Sequence, residues 1–108
     1  MQYIKILLVA IVLTSSVQGI SQSKFKEINF RVEGKCDMCE KRIENALDIK
    51  GIKIGDWNVT TKNCHVVYKI TQYTEEQIHQ IIADLGHTTE KIKATKQSYD
   101  NLHGCCKY

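Results

Sequence analysis

The order in which strand-like and helix-like patterns follow one another constrains the fold of this 108-residue chain more than any other feature. Residues 28–32 alternate apolar with polar side chains, which is the period-two pattern of a half-buried strand. Residues 52–60 and 64–70 are rich in β-forming side chains and flank a polar turn at 61–63, which predicts a hairpin. A last alternating segment, residues 88–94, predicts a fourth strand.

Two helical patterns separate these strands. Each begins with the spacing of a capping box: Asp37 with Glu40, and Thr74 with Gln77. The apolar faces consist of Cys39, Ile43, Ala46 and Leu47 in the first helix, and of Ile78, Ile81, Ile82 and Leu85 in the second. The glycines expected to close the two helices are Gly51 and Gly86.

The resulting order, strand, helix, strand, strand, helix, strand, predicts an α+β fold. It is the order of the ferredoxin-like βαββαβ sandwich, in which two helices cover one face of a four-stranded antiparallel sheet. A chain of 108 residues has room for one such domain. We expect this domain at residues 24–95, followed by a short Cys- and His-containing C-terminal extension at 96–108.

The first 19 residues have the pattern of a secretory signal peptide. A basic start, residues 1–5, precedes an unbroken apolar run at 6–13 and then small and polar residues up to Gly19. The apolar run is far shorter than the roughly 20 residues of a membrane span. We therefore expect cleavage after Gly19, no membrane span in the mature chain, and a periplasmic or secreted protein.

Charge and composition argue against two functions. The formal net charge of +3 is small and scattered, so the chain lacks the basic footprint of a nucleic-acid-binding protein. The chain also has no proline, whereas a thioredoxin-type dithiol enzyme needs a cis-proline opposite its two cysteines. Five cysteines, an odd number, imply that at least one thiol is unpaired in the monomer, bound to a metal, or paired with another chain.

The motif Cys36-Asp37-Met38-Cys39 joins the first strand to the first helix. Two thiols at this spacing can face one another across the first helical turn, where unsatisfied N–H groups and the positive end of the helix dipole stabilise thiolates. Two thiolates suit a soft ion of low coordination number, above all Cu(I), whereas zinc would want four ligands. The spacing by itself also allows a structural disulfide between Cys36 and Cys39.

Residues 32–47, V-E-G-K-C-D-M-C-E-K-R-I-E-N-A-L, resemble the metal-binding segment of heavy-metal-associated domains. This family includes small copper chaperones, modules of copper-transporting ATPases and a periplasmic mercuric-ion binding protein, and the resemblance covers about residues 26–94. It implies that Cys36 and Cys39 bind the metal. One position departs from the pattern, because the family usually has Met where this chain has Gly34.

Further donors are candidates for additional ligands. The resemblance places His87, in the loop after the second helix, beside the metal, where an imidazole can bind the ion or tune the thiolates. The antiparallel topology places Cys64 at the same end of the sheet as the motif, although a buried, inert cysteine is the more ordinary interpretation. The tail adds His103, Cys105 and Cys106, which can complete the site, form a second site, bond to Cys64, or do nothing.

These observations predict a binding protein and no enzyme. We expect it to bind one soft ion, with Cu(I) favoured and Hg(II) or Zn(II) as alternatives, and to carry or buffer it or pass it to a metal-transporting or metal-accepting protein. A metal-bridged dimer is one form of this interaction. A basic rim of Lys35, Lys41, Arg42, Lys53 and Lys62 would steer docking to an acidic partner. Mercuric-ion scavenging and a redox-responsive thiol module are the alternatives.

Overall fold

A computed structural model of the protein describes residues 24–108. The elements, in chain order, are β1 (Phe25–Arg31), α1 (Asp37–Leu47), β2 (Ile52–Trp57), β3 (Asn63–Lys69), α2 (Glu75–Asp84), α3 (Lys96–Asp100) and a short 3₁₀ helix (Gly104–Cys106). The signal peptide predicted for residues 1–19 lies outside the described residues. Within 24–108 no helix has the length and apolar character needed to cross a membrane.

The sheet has three antiparallel strands in the order β1-β3-β2. As predicted, the third strand runs antiparallel to the first and forms a hairpin with the second. Cys64 on the central strand pairs with Phe30 on one side and with Trp57 on the other. Because alternate side chains of a strand share a face, these three line up at one end of the sheet and point into the core.

The predicted fourth strand at 88–94 is wrong. Within the described residues, this segment forms one isolated antiparallel β-bridge, between Thr89 and Val32, the residue that follows β1. The Thr89 hydroxyl accepts hydrogen bonds from the main-chain N–H groups of Lys91 and Ile92, and the Thr88 hydroxyl accepts one from Ala94. Local side-chain acceptors therefore satisfy the donors that a strand ladder would have used, and the chain curls instead of extending.

The two helix starts differ. At α2 the predicted capping box is confirmed, because the Thr74 hydroxyl accepts from the Gln77 N–H and the Gln77 side chain accepts from the Thr74 N–H. At α1 the predicted box of Asp37 and Glu40 is wrong. The residue that caps this helix is Cys36, and its side chain makes no capping hydrogen bond. Asp37 is already the first helical residue, so the Cys-x-x-Cys motif itself forms the first turn.

The hydrophobic core includes the C-terminal tail. It consists of Ile28, Phe30, Val32, Cys39, Ile43, Leu47, Trp57, Cys64, Val66, Tyr68, Ile78, Ile82, Leu102 and Cys106. Gly86 allows the tail to approach, since its φ is +107° and a Cβ there would lie 2.5 Å from the main-chain oxygen of Ser98 in α3. The segment after residue 95 is thus folded against the end of the domain that carries the cysteine motif.

Candidate metal centre

Four of the five cysteines converge at the start of α1. The sulfur of Cys36 lies 3.5 Å from that of Cys39, 3.6 Å from that of Cys106 and 3.3 Å from that of Cys105. The sulfurs of Cys36, Cys39 and Cys106 all lie within 4.8 Å of one another, and no other described residues form a comparable group of three His, Cys, Asp or Glu donors. All five cysteines are free thiols.

The helix start positions the first two sulfurs. Cys36 is half-buried at the cap of α1, and Cys39, one turn later, is fully buried. The Cys39 N–H donates to the main-chain oxygen of Cys36 at 3.0 Å, and the Lys35 N–H points at the Cys39 sulfur at 3.5 Å. The free N–H groups and the positive dipole end of α1 therefore surround sulfurs that can carry negative charge.

The Cys36 thiol is tuned toward ionisation. Partial burial raises its pKa, but hydrogen bonding with the Cys105 thiol, the Cys39 N–H, and the thiols of Cys39 and Cys106 outweighs burial and lowers the pKa to about 7. The pKa values of the two tail thiols are raised. Burial is the main cause at Cys106, and the hydrogen bond with Cys36 is the main cause at Cys105. The thiolate is the form that binds metal ions, so the lowered pKa of Cys36 favours binding at neutral pH.

Solved structures of known proteins share this architecture. The CopZ metallochaperone is 27% identical over 59% of this chain and 98% of its own, with a TM-score of 0.56. Oxidised MerP from Ralstonia metallidurans, at 18% identity, 61% of this chain and 94% of its own, shares the fold with a TM-score of 0.56. No protein-family model and no curated protein sequence matches the chain.

A copper form of a CopA variant from Bacillus subtilis is 30% identical over 62% of this chain and 91% of its own, with a TM-score of 0.52. The chain belongs to the heavy-metal-associated family. The structural matches extend over about three fifths of its 108 residues. The four cysteines near the start of α1 therefore lie in a fold that this chain shares with known metal-binding proteins.

In this heavy-metal-associated domain, Trp57 fills the space beside Gly34 in the loop that leads to Cys36. A Cβ at Gly34 would lie 2.9 Å from Cη2 of Trp57, whose indole is fully buried and donates from Nε1 to the Val32 carbonyl at 3.1 Å. The Lys62 ammonium donates to the Gly34 carbonyl at 2.7 Å. The sequence patterns did not identify Trp57, although it is the lone Trp of the chain at the end of a hairpin strand, and they placed Lys62 only in a basic rim.

His87 is held by packing and by the main chain. It is fully buried, its Nδ1–H donates to the Glu33 carbonyl at 2.8 Å, and its ring stacks on Tyr108 with centroids 6.1 Å apart. Burial lowers the pKa of His87, with a smaller contribution from the charge of Arg42, and the Glu33 hydrogen bond opposes both. The structure does not bring His87 into the group of three sulfurs, and its Nε2 is buried without a hydrogen-bond partner.

Cys64 and His103 are not members of the three-sulfur group. Cys64 is fully buried in the core, and burial, together with the charges of Asp56 and Glu44, raises its pKa to about 12. Its burial agrees with the interpretation of Cys64 as a core cysteine. His103 is exposed and precedes the 3₁₀ helix that carries Cys105 and Cys106.

The basic side chains do not form one continuous rim. The Lys62 ammonium donates a hydrogen bond to the Gly34 carbonyl, and the Arg42 guanidinium donates to the Leu85 carbonyl at 3.4 Å. Lys53 lies over the ring of Phe25, 5.2 Å from its centroid, at the end of the sheet opposite Cys64. The prediction that Lys53 belongs to a rim around the cysteine motif is therefore wrong, because the strand register carries it away.

Two tyrosines anchor the tail. The Tyr108 hydroxyl donates to the Gly86 carbonyl at 2.7 Å and accepts from the Thr88 N–H at 2.9 Å. The Tyr99 hydroxyl donates to the main-chain oxygen of Tyr108, and the two rings meet edge to face at 4.8 Å. These contacts hold the tail on both sides of Cys105 and Cys106.

Proposed function

We propose that this protein binds one soft metal ion, Cu(I), through Cys36 and Cys39 and carries, buffers or passes it on outside the cytoplasm. The observation that carries the proposal is the pair of sulfurs 3.5 Å apart at the start of α1. A structural neighbour named as a copper form of a CopA variant supports the choice of ion, and one named as the CopZ metallochaperone supports the carrier role. Thiolates are soft ligands, and they suit Cu(I) better than the oxygen-preferring divalent ions.

Binding and transfer proceed by exchange of thiolates. The ion replaces the protons of the two thiols, and Cys36, already close to ionisation at neutral pH, binds first. A thiol of the accepting protein then enters as a third ligand, and one of the two cysteines leaves. No bond of an organic substrate is made or broken, so the protein is a carrier and no enzyme.

The compartment and the partner follow from the N-terminal pattern and from the chemistry of the site. The signal peptide proposed for residues 1–19 directs the chain to the periplasm or out of the cell. The partner is a metal-transporting or metal-accepting protein with thiols of its own, and a second copy of this chain can take its place in a metal-bridged dimer. Fractionation of cells that express the full chain tests the compartment, and recovery in the cytoplasm would contradict it.

Anaerobic titration tests the choice of ion and site. The reduced protein is titrated with Cu(I), Hg(II) and Zn(II) against a chelator of known affinity, and Cu(I) is expected to be held more tightly than Zn(II). Cys36→Ser should lose most of this affinity, whereas the core control Cys64→Ala should keep it. If Cys36→Ser binds Cu(I) as tightly as the natural chain, the site is elsewhere. If Hg(II) alone is retained against the chelator, the protein is a mercuric-ion scavenger.

A redox-responsive module is the second candidate, favoured by the 3.3 Å separation of the Cys36 and Cys105 sulfurs. Oxidised glutathione would accept two electrons as two thiols lose their protons and form a disulfide. Mass mapping of the oxidised protein and an insulin-reduction assay distinguish the two functions. Catalytic turnover of insulin supports the redox module, and its absence supports the metal carrier.

A further inference from the structure

The third sulfur of the cluster comes from a part of the chain about 70 residues away from the motif. Cys106 is 1% exposed and its sulfur lies 3.6 Å from that of Cys36. It is within 4.8 Å of the Cys39 sulfur as well. A donor so far along the sequence reaches this position only because the tail folds back onto the start of α1.

The spacing of the sulfurs distinguishes two coordination numbers. With a metal–thiolate bond of about 2.3 Å, two sulfurs on opposite sides of an ion are about 4.6 Å apart, and three in a trigonal plane are about 4.0 Å apart. The separations of 3.5 and 3.6 Å from Cys36 to Cys39 and Cys106 lie closer to the trigonal value. Both separations are shorter than a linear pair of thiolates requires, so the positions of the three sulfurs suit an ion with three thiolates better than an ion with two.

Cys106 is also positioned before any ion arrives. Its N–H donates to the His103 carbonyl at 2.8 Å within the 3₁₀ helix. Buried Leu102 on one side and the hydrogen-bonded Tyr108 hydroxyl on the other hold this helix against the domain. Binding therefore orders little additional chain, which favours a third ligand from the protein over one from solvent or from a partner.

Cys105 provides the contrast. It is exposed, and its sulfur contacts those of Cys36 and Met38, at 3.3 and 3.4 Å, at the surface of the cluster. Although it lies close to Cys36, it is not one of the three sulfurs that are mutually within reach of one ion. Cys105 and Cys106 are thus adjacent cysteines of the same tail with different surroundings, and each serves as the control for the other.

We propose that Cys106 is the third ligand of a trigonal site with Cys36 and Cys39, so that the protein closes its own metal site with its tail. The inference rests on the proposed function, because it concerns the same ion. The site suits soft ions that accept three thiolates, namely Cu(I) and Hg(II). A partner must displace Cys106 before its own thiol can enter, so the tail makes the protein retain its ion and slows release.

X-ray absorption on the full chain, loaded anaerobically with one equivalent of Cu(I), measures the coordination directly. We expect three sulfurs around the ion in the natural protein and in Cys105→Ser, and two in Cys106→Ser. Release of Cu(I) to a chelator should be about tenfold faster in Cys106→Ser than in Cys105→Ser. Circular dichroism establishes that both variants are folded.

Other outcomes separate this inference from the proposed function. Two sulfurs in the natural protein, with affinity that depends on Cys36, would overturn the third ligand and leave the metal carrier intact. Three sulfurs in Cys106→Ser that fall to two only in the Cys105→Ser/Cys106→Ser variant would assign the third position to Cys105 instead. If Cys106→Ser does not fold, Tyr108→Phe, which keeps every sulfur, should still speed release, and unchanged release would contradict the proposal.

Discussion

The indole of Trp57 occupies the space into which any side chain at Gly34 would project, with Cη2 2.9 Å from the ideal Cβ position. Unlike Gly51 and Gly86, Gly34 does not have a positive φ. Glycine is therefore required here because there is no room for a side chain. Trp57 of the hairpin thus packs beneath the loop that leads to Cys36.

A methionine at position 34, as in the family pattern, should therefore destabilise this protein. We expect Gly34→Met to lower the free energy of unfolding by about 1–3 kcal/mol, since overpacking moves the buried indole or the loop. Urea denaturation of the metal-free, reduced protein measures the loss. Gly104→Ala is the matched control, because nothing lies within 4 Å of a Cβ at that position. Equal stability of Gly34→Met and the natural chain would show that the loop adapts to the added side chain.

The hydroxyl of Tyr108 should matter for metal retention as well as for stability. Tyr108→Phe removes a donor to Gly86 and an acceptor for the Thr88 N–H, at a cost of about 1–2 kcal/mol. We expect faster transfer of Cu(I) to a chelator, because the tail undocks more often. Tyr73→Phe is the control, since its hydroxyl bonds to the Lys50 carbonyl away from the cysteine cluster. A loss of stability with unchanged transfer would contradict the proposal that the docked tail retains the ion.

Thr89 explains why residues 88–94 do not form a strand, and its substitution tests that explanation. Thr89→Val keeps the shape of the side chain but removes the acceptor for two main-chain N–H groups and the hydrogen bond to His79 Nδ1. We expect a loss of about 1–3 kcal/mol in unfolding free energy. The exposed Thr71→Val should be neutral in the same urea experiment. Neutral behaviour of Thr89→Val would mean that these donors find other partners.

Acid should destabilise the fold before its carboxylates titrate. Burial is the main cause that lowers the pKa of His79, with the charge of Lys91 adding to it and Glu75, Glu90 and Glu76 opposing it. Between this lowered pKa and the value of about 6.5 in the unfolded chain, the unfolded state binds more protons than the folded state. The contribution of neutral His79 to the free energy of unfolding is therefore fully present above about pH 6.5, and it is lost as the pH falls through the lowered pKa.

Urea unfolding at several pH values between 7 and 5 measures this dependence. We expect the unfolding free energy to fall with pH in the natural chain, with buried His87 contributing in the same direction because its pKa is lowered too. His79→Gln should be less stable at pH 7 but should lose less stability on acidification. An identical slope in both proteins would show that folding leaves the pKa of His79 unchanged.

Much of the fold follows from local patterns. The alternation in residues 28–32 and the capping box of Thr74 and Gln77 predicted β1 and the start of α2, because each depends on side chains two to four residues apart. The fourth strand was wrong because Thr88 and Thr89 satisfy nearby N–H groups, and alternation alone does not reveal that competition.

The sequence by itself determined the order of the first five elements around a Cys-x-x-Cys helix start, the resemblance to the family and the prediction of a two-thiol site. Only the tertiary structure decided that Trp57 lies under Gly34 and that Cys106, not His87 or Cys64, joins the first two sulfurs. The physical reason is distance along the chain. Periodicity reports neighbours within a turn or a strand, whereas the contact of Cys106 with Cys36 depends on how Leu102, Tyr99 and Tyr108 pack the tail onto the domain.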